Sequence, residues 1–178
     1  YNDGYTQYNS FGGWVIVEEG GTLQPHSYGG GLGTYTLFVA HDITNYGTIT
    51  NPYEDEYYEY LSIDVKGDIF NFAYWGPYKT WLTGTEQTLT LGAGSTFGGF
   101  WECSGNTSIH AGSDLNFDGL YYTYFWNTGD INLQGSTLHM DGHSIRTSGT
   151  VIFNGTIEGD FEIKGVFDVN KHVTDTMR

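Results

Sequence analysis

Short apolar strings between glycines recur along this chain at a nearly constant spacing. The clearest copies are residues 129–135 (GDINLQG) and 149–155 (GTVIFNG), which lie 20 residues apart. In both copies apolar side chains occur two positions apart, and a glycine stands at each end. This pattern is typical of a short strand with one buried face between two turns.

The same interval continues toward the N terminus. Steps of 20 residues, with one slip of two, meet an apolar residue each time: Val151, Ile131, Ile109, Leu89, Ile69 and Ile49. A column six positions earlier is apolar at all but one step: Leu23, Ile43, Ile63, Thr83, Cys103, Phe125 and Ile145. A fixed period of this length is typical of a coiled chain whose turns stack on one another.

We therefore predict an all-β fold, a right-handed parallel β-helix (β-solenoid) with about 20-residue coils. Handedness follows from the usual crossover preference and not from this sequence. We expect one domain, with an irregular lead-in and first strand at 1–34, the solenoid at 35–170, and a tail or the start of a continuation at 171–178. Abundant glycine (27 residues) and aromatics (17%) favour strands and turns over helices.

The net charge of the chain excludes some classes of binding partner. Acidic residues number 21 against 6 basic ones, a formal net charge of −15. Nucleic acid and anionic membrane surfaces would be repelled, and no apolar run is long enough to cross a bilayer. We expect self-association, other cell-surface proteins or neutral glycans as partners, with no nucleic acid and no membrane insertion. The single Cys103 falls in an apolar column and is predicted to be a plain core residue.

Two aromatic clusters are candidates for glycan binding. Residues 53–60 interleave four tyrosines with four carboxylates, and residues 121–126 are nearly all aromatic. Aromatic rings pack against the apolar faces of sugars, and carboxylates accept hydrogen bonds from hydroxyls. The alternatives are a solvated protrusion at 53–60 and a loop covering the core at 121–126. The candidate residues are Tyr53, Tyr57, Tyr58, Tyr60, Tyr121, Tyr122, Tyr124 and Trp126.

Two groups of polar residues are candidates for metal binding. On a strand, His139, Asp141 and His143 would share one face, a spacing compatible with metal ligation, although Gly142 can turn the chain between them. Asp114 and Asp130 precede apolar residues in neighbouring coils and could share a hard cation such as calcium. The alternative is an ordinary polar face. Calcium aside, we expect no cofactor.

The sequence offers no catalytic constellation. It contains no nucleophile elbow, no CxxC pair, and no carboxylate pair singled out for glycoside hydrolysis. We assign no catalytic residue and expect a non-enzymatic protein.

Residues 45–51 (NYGTITN), 149–156 (GTVIFNGT) and 165–167 (GVF) resemble the repeats of secreted bacterial β-solenoid surface proteins, adhesins of the Bacteroidota type. The resemblance covers about residues 35–170 and implies surface attachment or structural support. More distantly the chain resembles pectin-lyase-like β-helix enzymes, which usually combine clustered aspartates with a basic residue. Here Lys66 and Arg146 are isolated, and the resemblance carries over no catalytic residue.

Together these observations predict a secreted, extracellular protein of the cell surface. We expect a non-enzymatic structural or adhesive β-solenoid, for which end-to-end assembly is one option. The alternative is a β-helix that binds or cleaves a neutral glycan.

Overall fold

Parallel strand pairing between successive turns dominates the structure, a computed structural model that describes residues 5–25, 33–51, 59–103, 107–117, 124–128, 131–139, 143–152, 155–159 and 161–168. Ile43 lies beside Ile69, and Ile69 lies beside Leu89 one turn further on. The described residues contain strands and no helix. The predicted all-β parallel solenoid is therefore confirmed, while its right-handed winding stays a prediction.

Three strands form each regular turn. About four such turns follow one another, with coils about 23 residues apart. Their strands are β1 (Tyr5–Phe11), β2 (Val15–Val17), β3 (Thr22–Leu23), β4 (Gly33–Val39), β5 (Ile43–Asn45), β6 (Thr48–Thr50), β7 (Glu59–Val65), β8 (Ile69–Asn71), β9 (Tyr74–Gly76), β10 (Lys79–Leu82), β11 (Glu86–Leu91) and β12 (Thr96–Phe97).

The remaining strands extend the first two stacks or form a separate three-stranded sheet. They are β13 (Phe100–Cys103), β14 (Ser108–Ala111), β15 (Leu115–Asn116), β16 (Tyr124–Thr128), β17 (Ile131–Asn132), β18 (Thr137–His139), β19 (His143–Ile152), β20 (Thr156–Glu158) and β21 (Phe161–Asp168). The first stack runs β1-β4-β7-β10-β13-β16, the second β2-β5-β8-β11-β14-β17 and the third β3-β6-β9-β12. The long β19 pairs with both β16 and β17 and so joins the first two stacks.

Apolar side chains from all three stacks fill the interior. Ile43, Ile69 and Leu89 of the second stack are fully buried, as is Ile49 of the third. Each such side chain contributes about 1.5–3 kcal/mol by leaving water. Large rings fill the space between the first and third stacks, where Trp101 packs 4.8 Å from Phe97 between ring centroids.

The predicted columns are correct in part. Ile69 lies beside Leu89, and Ile131 beside both Ile109 and Val151, as the regular step predicts. At other positions the 20-residue step predicts the wrong neighbour, because the coils differ in length.

Where a coil is longer than the predicted step, the neighbours change. Ile49 lies beside Trp75 and not beside Ile69, and Leu89 lies beside Ala111 and not beside Ile109. In the second column Phe125 does lie beside Ile145, but Leu23 lies beside Ile49 and not beside Ile43. The predicted and observed registers differ here by an even number of residues, which leaves the same side chains facing the core. The predicted fold is therefore correct although the predicted register is not.

Strand pairing begins within the segment that the sequence assigns to a lead-in. β1 pairs with β4 along seven positions, from Tyr5 beside Gly33 to Phe11 beside Val39. At this end Asn9 lies beside Leu37 and is exposed to solvent.

Two buried asparagines fix the corner between the second and third stacks. Asn45 donates from Nδ2 to Asn71 Oδ1 at 2.7 Å and to the Tyr74 carbonyl at 2.9 Å. Asn71 donates from Nδ2 to the carbonyls of Ala73 and Thr96, at 3.0 and 2.9 Å. The two side chains therefore satisfy backbone groups that the chain leaves unpaired where it turns.

Replacing Asn71 with Ala should lower the free energy of unfolding by about 2–4 kcal/mol, because buried carbonyls and the Asn45 amide lose a partner. Urea unfolding followed by circular dichroism measures the change. Asn132→Ala is the matched control: the Asn132 side chain accepts from the Gln134 amide at an exposed position, and its loss should cost less than about 1 kcal/mol. Equal losses in the two variants would contradict a structural role for the buried pair.

Candidate functional site

The outer face of the first stack carries alternating aromatic and charged residues. In β10, Thr80 and Leu82 point into the core, so Lys79 and Trp81 lie on the outside. The same alternation in β13 leaves Phe100 and Glu102 outside. We name this surface the Trp81 face; its residues are Tyr60, Asp64, Tyr78, Lys79, Trp81, Phe100 and Glu102.

Strand register sets the order of these side chains. Trp81 lies between Asp64 of β7 and Glu102 of β13, and Lys79 lies between Ser62 and Phe100. Neighbouring strands are about 4.8 Å apart. Carboxylate, indole and carboxylate therefore follow one another across three coils.

A network of polar contacts holds the Trp81 ring. The Trp81 indole donates from Nε1 to Glu102 Oε2 at 2.9 Å. Lys79 forms an ion pair with the same carboxylate, and its Nζ lies 4.2 Å from the Trp81 ring centroid. Asp64 accepts a hydrogen bond from the Thr83 hydroxyl. Since both edge and face of the indole have partners, its orientation is fixed.

Glu102 is held as a carboxylate. Burial alone would raise its pKa, but hydrogen bonds from Lys79 and Trp81 and the charge of Lys79 outweigh burial, so the pKa lies below its ordinary value. A general acid for glycoside hydrolysis needs the opposite change, a raised pKa. Glu102 is therefore suited to accepting hydrogen bonds and poorly suited to donating a proton.

A run of aromatic rings crosses the same face. The ring centroids of Tyr60 and Tyr78 are 4.3 Å apart, and those of Tyr78 and Phe100 are 5.3 Å apart with their planes at 68°. Edge and tilted contacts of this kind fix the rings relative to one another. The run spans three successive turns in the direction in which the coils stack.

The structure places three of the predicted glycan-binding residues in this stack. Tyr60 lies on β7 within the Trp81 face. Tyr124 and Trp126 lie on β16, and Trp126 pairs with Glu102 in the strand register. Tyr53, Tyr57, Tyr58, Tyr121 and Tyr122 lie outside the described residues.

Sequence reasoning missed the middle of the face, Tyr78 to Trp81 and Phe100 to Glu102. The sequence signal for this face is the alternation of outward and inward residues in 79–82 (KTWL) and 100–103 (FWEC). The regular step hides it, because it pairs Trp81 with Trp101. The true step here is longer by a single position, which pairs Trp81 with Glu102 and leaves Trp101 in the core.

The predicted metal ligands are only partly described. His139 Nδ1 lies 3.3 Å from Glu158 Oε2, and Asp114 accepts from the Thr137 amide at 2.6 Å. Asp130 and Asp141 lie outside the described residues, as does the side chain of His143. Within the part of the chain that is described, no three His, Cys, Asp or Glu residues are grouped to hold a metal ion. Metal binding stays a prediction.

Cys103 is buried on the inner side of β13. Burial, and then the nearby charge of Glu102, raise the pKa of its thiol to about 12. Because the thiolate is the reactive form, this cysteine is inert at neutral pH. The prediction of a core residue is confirmed.

Comparison of the chain with protein-family models, with curated proteins and with solved structures gives no significant match. The solenoid architecture therefore rests on the chain's own strand pairing. The resemblance to Bacteroidota-type adhesins and to pectin-lyase-like enzymes gains no support from these comparisons. Over the described ranges, no helix is long and apolar enough to cross a membrane.

The turn before β13 should depend on the absence of a side chain at Gly99. Gly94 and Gly99 both have positive φ, +77° and +80°, but a Cβ at Gly99 would clash with the Pro77 carbonyl oxygen whereas one at Gly94 meets nothing within 4 Å. Gly94→Ala should cost about 1–2 kcal/mol, from backbone strain alone.

Gly99→Ala adds the steric clash and should cost at least about 2 kcal/mol more. Chemical denaturation of both variants measures the difference. Similar losses would mean that the turn adjusts and that the close approach to Pro77 is unimportant.

Glu102 should make folding stability depend on pH. Because its pKa is lowered in the folded state, its contribution is complete above about pH 5 and is lost as the pH falls through the folded-state value. The stability difference between the wild type and Glu102→Gln should therefore shrink on acidification from pH 7 to pH 3, measured by urea unfolding at each pH. In a Lys79→Met background the same difference should vary less with pH. If the free energies of unfolding of the wild type and of Glu102→Gln change by the same amount with pH, this contribution is ruled out.

Proposed function

We propose that this chain is an extracellular, non-enzymatic adhesive β-solenoid of a cell surface, and that it attaches by binding a neutral glycan on the Trp81 face. The observation that supports the proposal is the fixed array of rings and charged groups on a regular sheet. Sugars present apolar faces to rings and hydroxyls to carboxylates and ammonium groups. An array that is already ordered loses little conformational entropy when a ligand binds.

Charge favours a neutral glycan over an acidic one. The chain carries a formal net charge of −15, and the single described lysine of the face, Lys79, is already paired with Glu102. An acidic sugar would need an unpaired cation to offset this repulsion.

The lowered pKa of Glu102 makes it unsuited to the role of general acid and leaves it the role of base or nucleophile. Hydrolysis with two carboxylates requires one protonated acid, and the pKa of Glu102 is lowered. Cleavage is kept as the second candidate because Asp64 and Glu102 lie on one face, on either side of Trp81. Two strand spacings separate them, about 10 Å along the stack.

A structural role is compatible with the same architecture. Stacked coils form a stiff support on which a binding face can be held away from a cell, and the repeated Asn, Gly and Thr strings favour a Bacteroidota-type surface protein. End-to-end assembly stays a prediction.

A neutral-glycan array, followed by titration calorimetry on the ligand found, tests the proposal. Trp81→Ala and Phe100→Ala should each weaken binding about tenfold or more, since each removes a ring from the face. Tyr74→Ala is the matched control, because Tyr74 is exposed on the third stack and its loss should leave the affinity unchanged.

A reducing-sugar assay on the same ligand separates binding from cleavage. No release of reducing ends is expected. Turnover by the wild type that disappears in Asp64→Asn would favour cleavage instead. Equal glycan affinity of the Trp81→Ala and Tyr74→Ala variants would show that the glycan does not bind at the Trp81 face.

A further inference from the structure

A second surface, on the outer side of the second stack, exposes large apolar side chains. Ile16 lies in register with Thr44 and Phe70, and Trp14 stands two positions before Ile16. Tyr46 and Phe72 follow the ends of β5 and β8 in the same stack. We name this surface the Trp14 face; it comprises Trp14, Ile16, Tyr46, Phe70 and Phe72.

Four of these five side chains are far more exposed than core-forming residues usually are, and Phe70 is half-buried. The exposed fractions are 70% for Trp14, 62% for Ile16, 50% for Tyr46 and 43% for Phe72. Single exposed apolar residues are ordinary, but several on adjacent positions mark an interaction surface.

The exposed rings are held in place by their neighbours. Tyr46 and Phe72 stack with centroids 5.1 Å apart and planes at 9°, and Trp14 stacks on His41 at 5.1 Å. The backbone beneath them is fixed as well, since Asn45 and Asn71 are hydrogen-bonded to each other. Rigid aromatic anchors of this kind contribute most of the energy in protein interfaces.

The charged side chains next to Tyr46 are acidic. Glu18 occupies the position one coil before Tyr46, and Glu19 follows it; both are exposed. The outward residues of β2, β5 and β8 and of the positions flanking them include no Lys or Arg. A basic side chain from a partner could therefore contact a ring and a carboxylate together.

We propose that the Trp14 face is a docking surface for a partner-protein segment in which apolar side chains alternate with lysine or arginine. This interaction does not depend on glycan binding by the Trp81 face. Charge complementarity selects the occupant: a second copy would bring the same acidic groups against one another.

A glycan suits the Trp14 face less well than the Trp81 face. Asp42 and Asp68 accept from the backbone amides of Asp68 and Thr88, at 2.8 and 2.7 Å. Their carboxylates already cap the next coil, which leaves this surface dominated by apolar groups.

The test uses the folded chain and a synthetic peptide of alternating lysine and leucine, with affinity measured by fluorescence anisotropy. The double variant Ile16→Ser with Tyr46→Ser keeps the net charge and should weaken binding about tenfold or more. Glu18→Gln with Glu19→Gln should weaken it severalfold and reduce its dependence on salt. Tyr74→Ser is the matched control and should stay within about twofold of wild type.

Two control peptides decide the class of partner. Replacing leucine with serine, or lysine with glutamate, should each abolish most of the binding. Equal binding of the lysine–serine peptide would show that net charge alone attracts it, and equal binding of the glutamate–leucine peptide would show that charge is not selected. Either result overturns the proposal.

Self-association and folding are checked on the same proteins. A wild-type dimer in sedimentation velocity that dissociates in the Ile16→Ser/Tyr46→Ser variant would assign the face to a second copy and overturn the proposal. If that variant does not fold, as judged by circular dichroism, Trp14→Ser alone is used, because this side chain is 70% exposed. Unchanged peptide affinity in a folded Trp14→Ser variant would count against the face as well.

Discussion

Backbone hydrogen bonds from each coil to the next are the constraint on which the rest of this structure depends. They continue around the corners and are not confined to strands: the amides of Tyr46, Phe72 and Gly92 donate to the carbonyls of Val17, Asn45 and Asn71, respectively. Each position in a coil is therefore fixed against the equivalent position one turn away. Since these bonds hold neighbouring coils about 4.8 Å apart, the side chain at each position must pack against the side chains one coil before and one coil after it.

This constraint explains where polar residues are buried. Gln87 donates from Nε2 to the carbonyls of Val65 and Gly67 and accepts from the Gly84 amide. Thr107 donates to the Gly84 carbonyl at 2.6 Å one turn later. Corners leave backbone groups without strand partners, and amide, hydroxyl and carboxylate side chains supply them. Asp42, Asp68 and Asp114 belong to this group, so Asp114, a candidate metal ligand in the sequence, has a structural use.

The fold could be predicted from the sequence because its requirement is simple: apolar residues must recur at one phase so that they meet inside. The register between coils could not be predicted, because the length of each coil depends on corner residues that do not recur at a fixed period. Trp81 and Trp101 show the consequence most clearly. They stand one regular step apart and look equivalent, yet the local step is longer by a single position, so Trp81 lies outside and Trp101 inside. An odd slip exchanges the two faces of a strand, whereas the even slips at Ile49 and Leu89 do not. A surface site is thus harder to predict than the core in such a fold.

Two outer faces of different chemistry arise from the same coils. β7 and β8 belong to one turn, yet β7 carries Asp64 on the Trp81 face and β8 carries Phe70 on the Trp14 face. The first face pairs its charges internally, through Lys79 and Glu102, and the second presents stacked rings beside an acidic rim. Core side chains between them, such as Ile63 and Ile69, are shared by both. We therefore expect core substitutions to affect both faces together and outward substitutions to act on one face at a time, so the two proposed binding functions could change independently on a single scaffold.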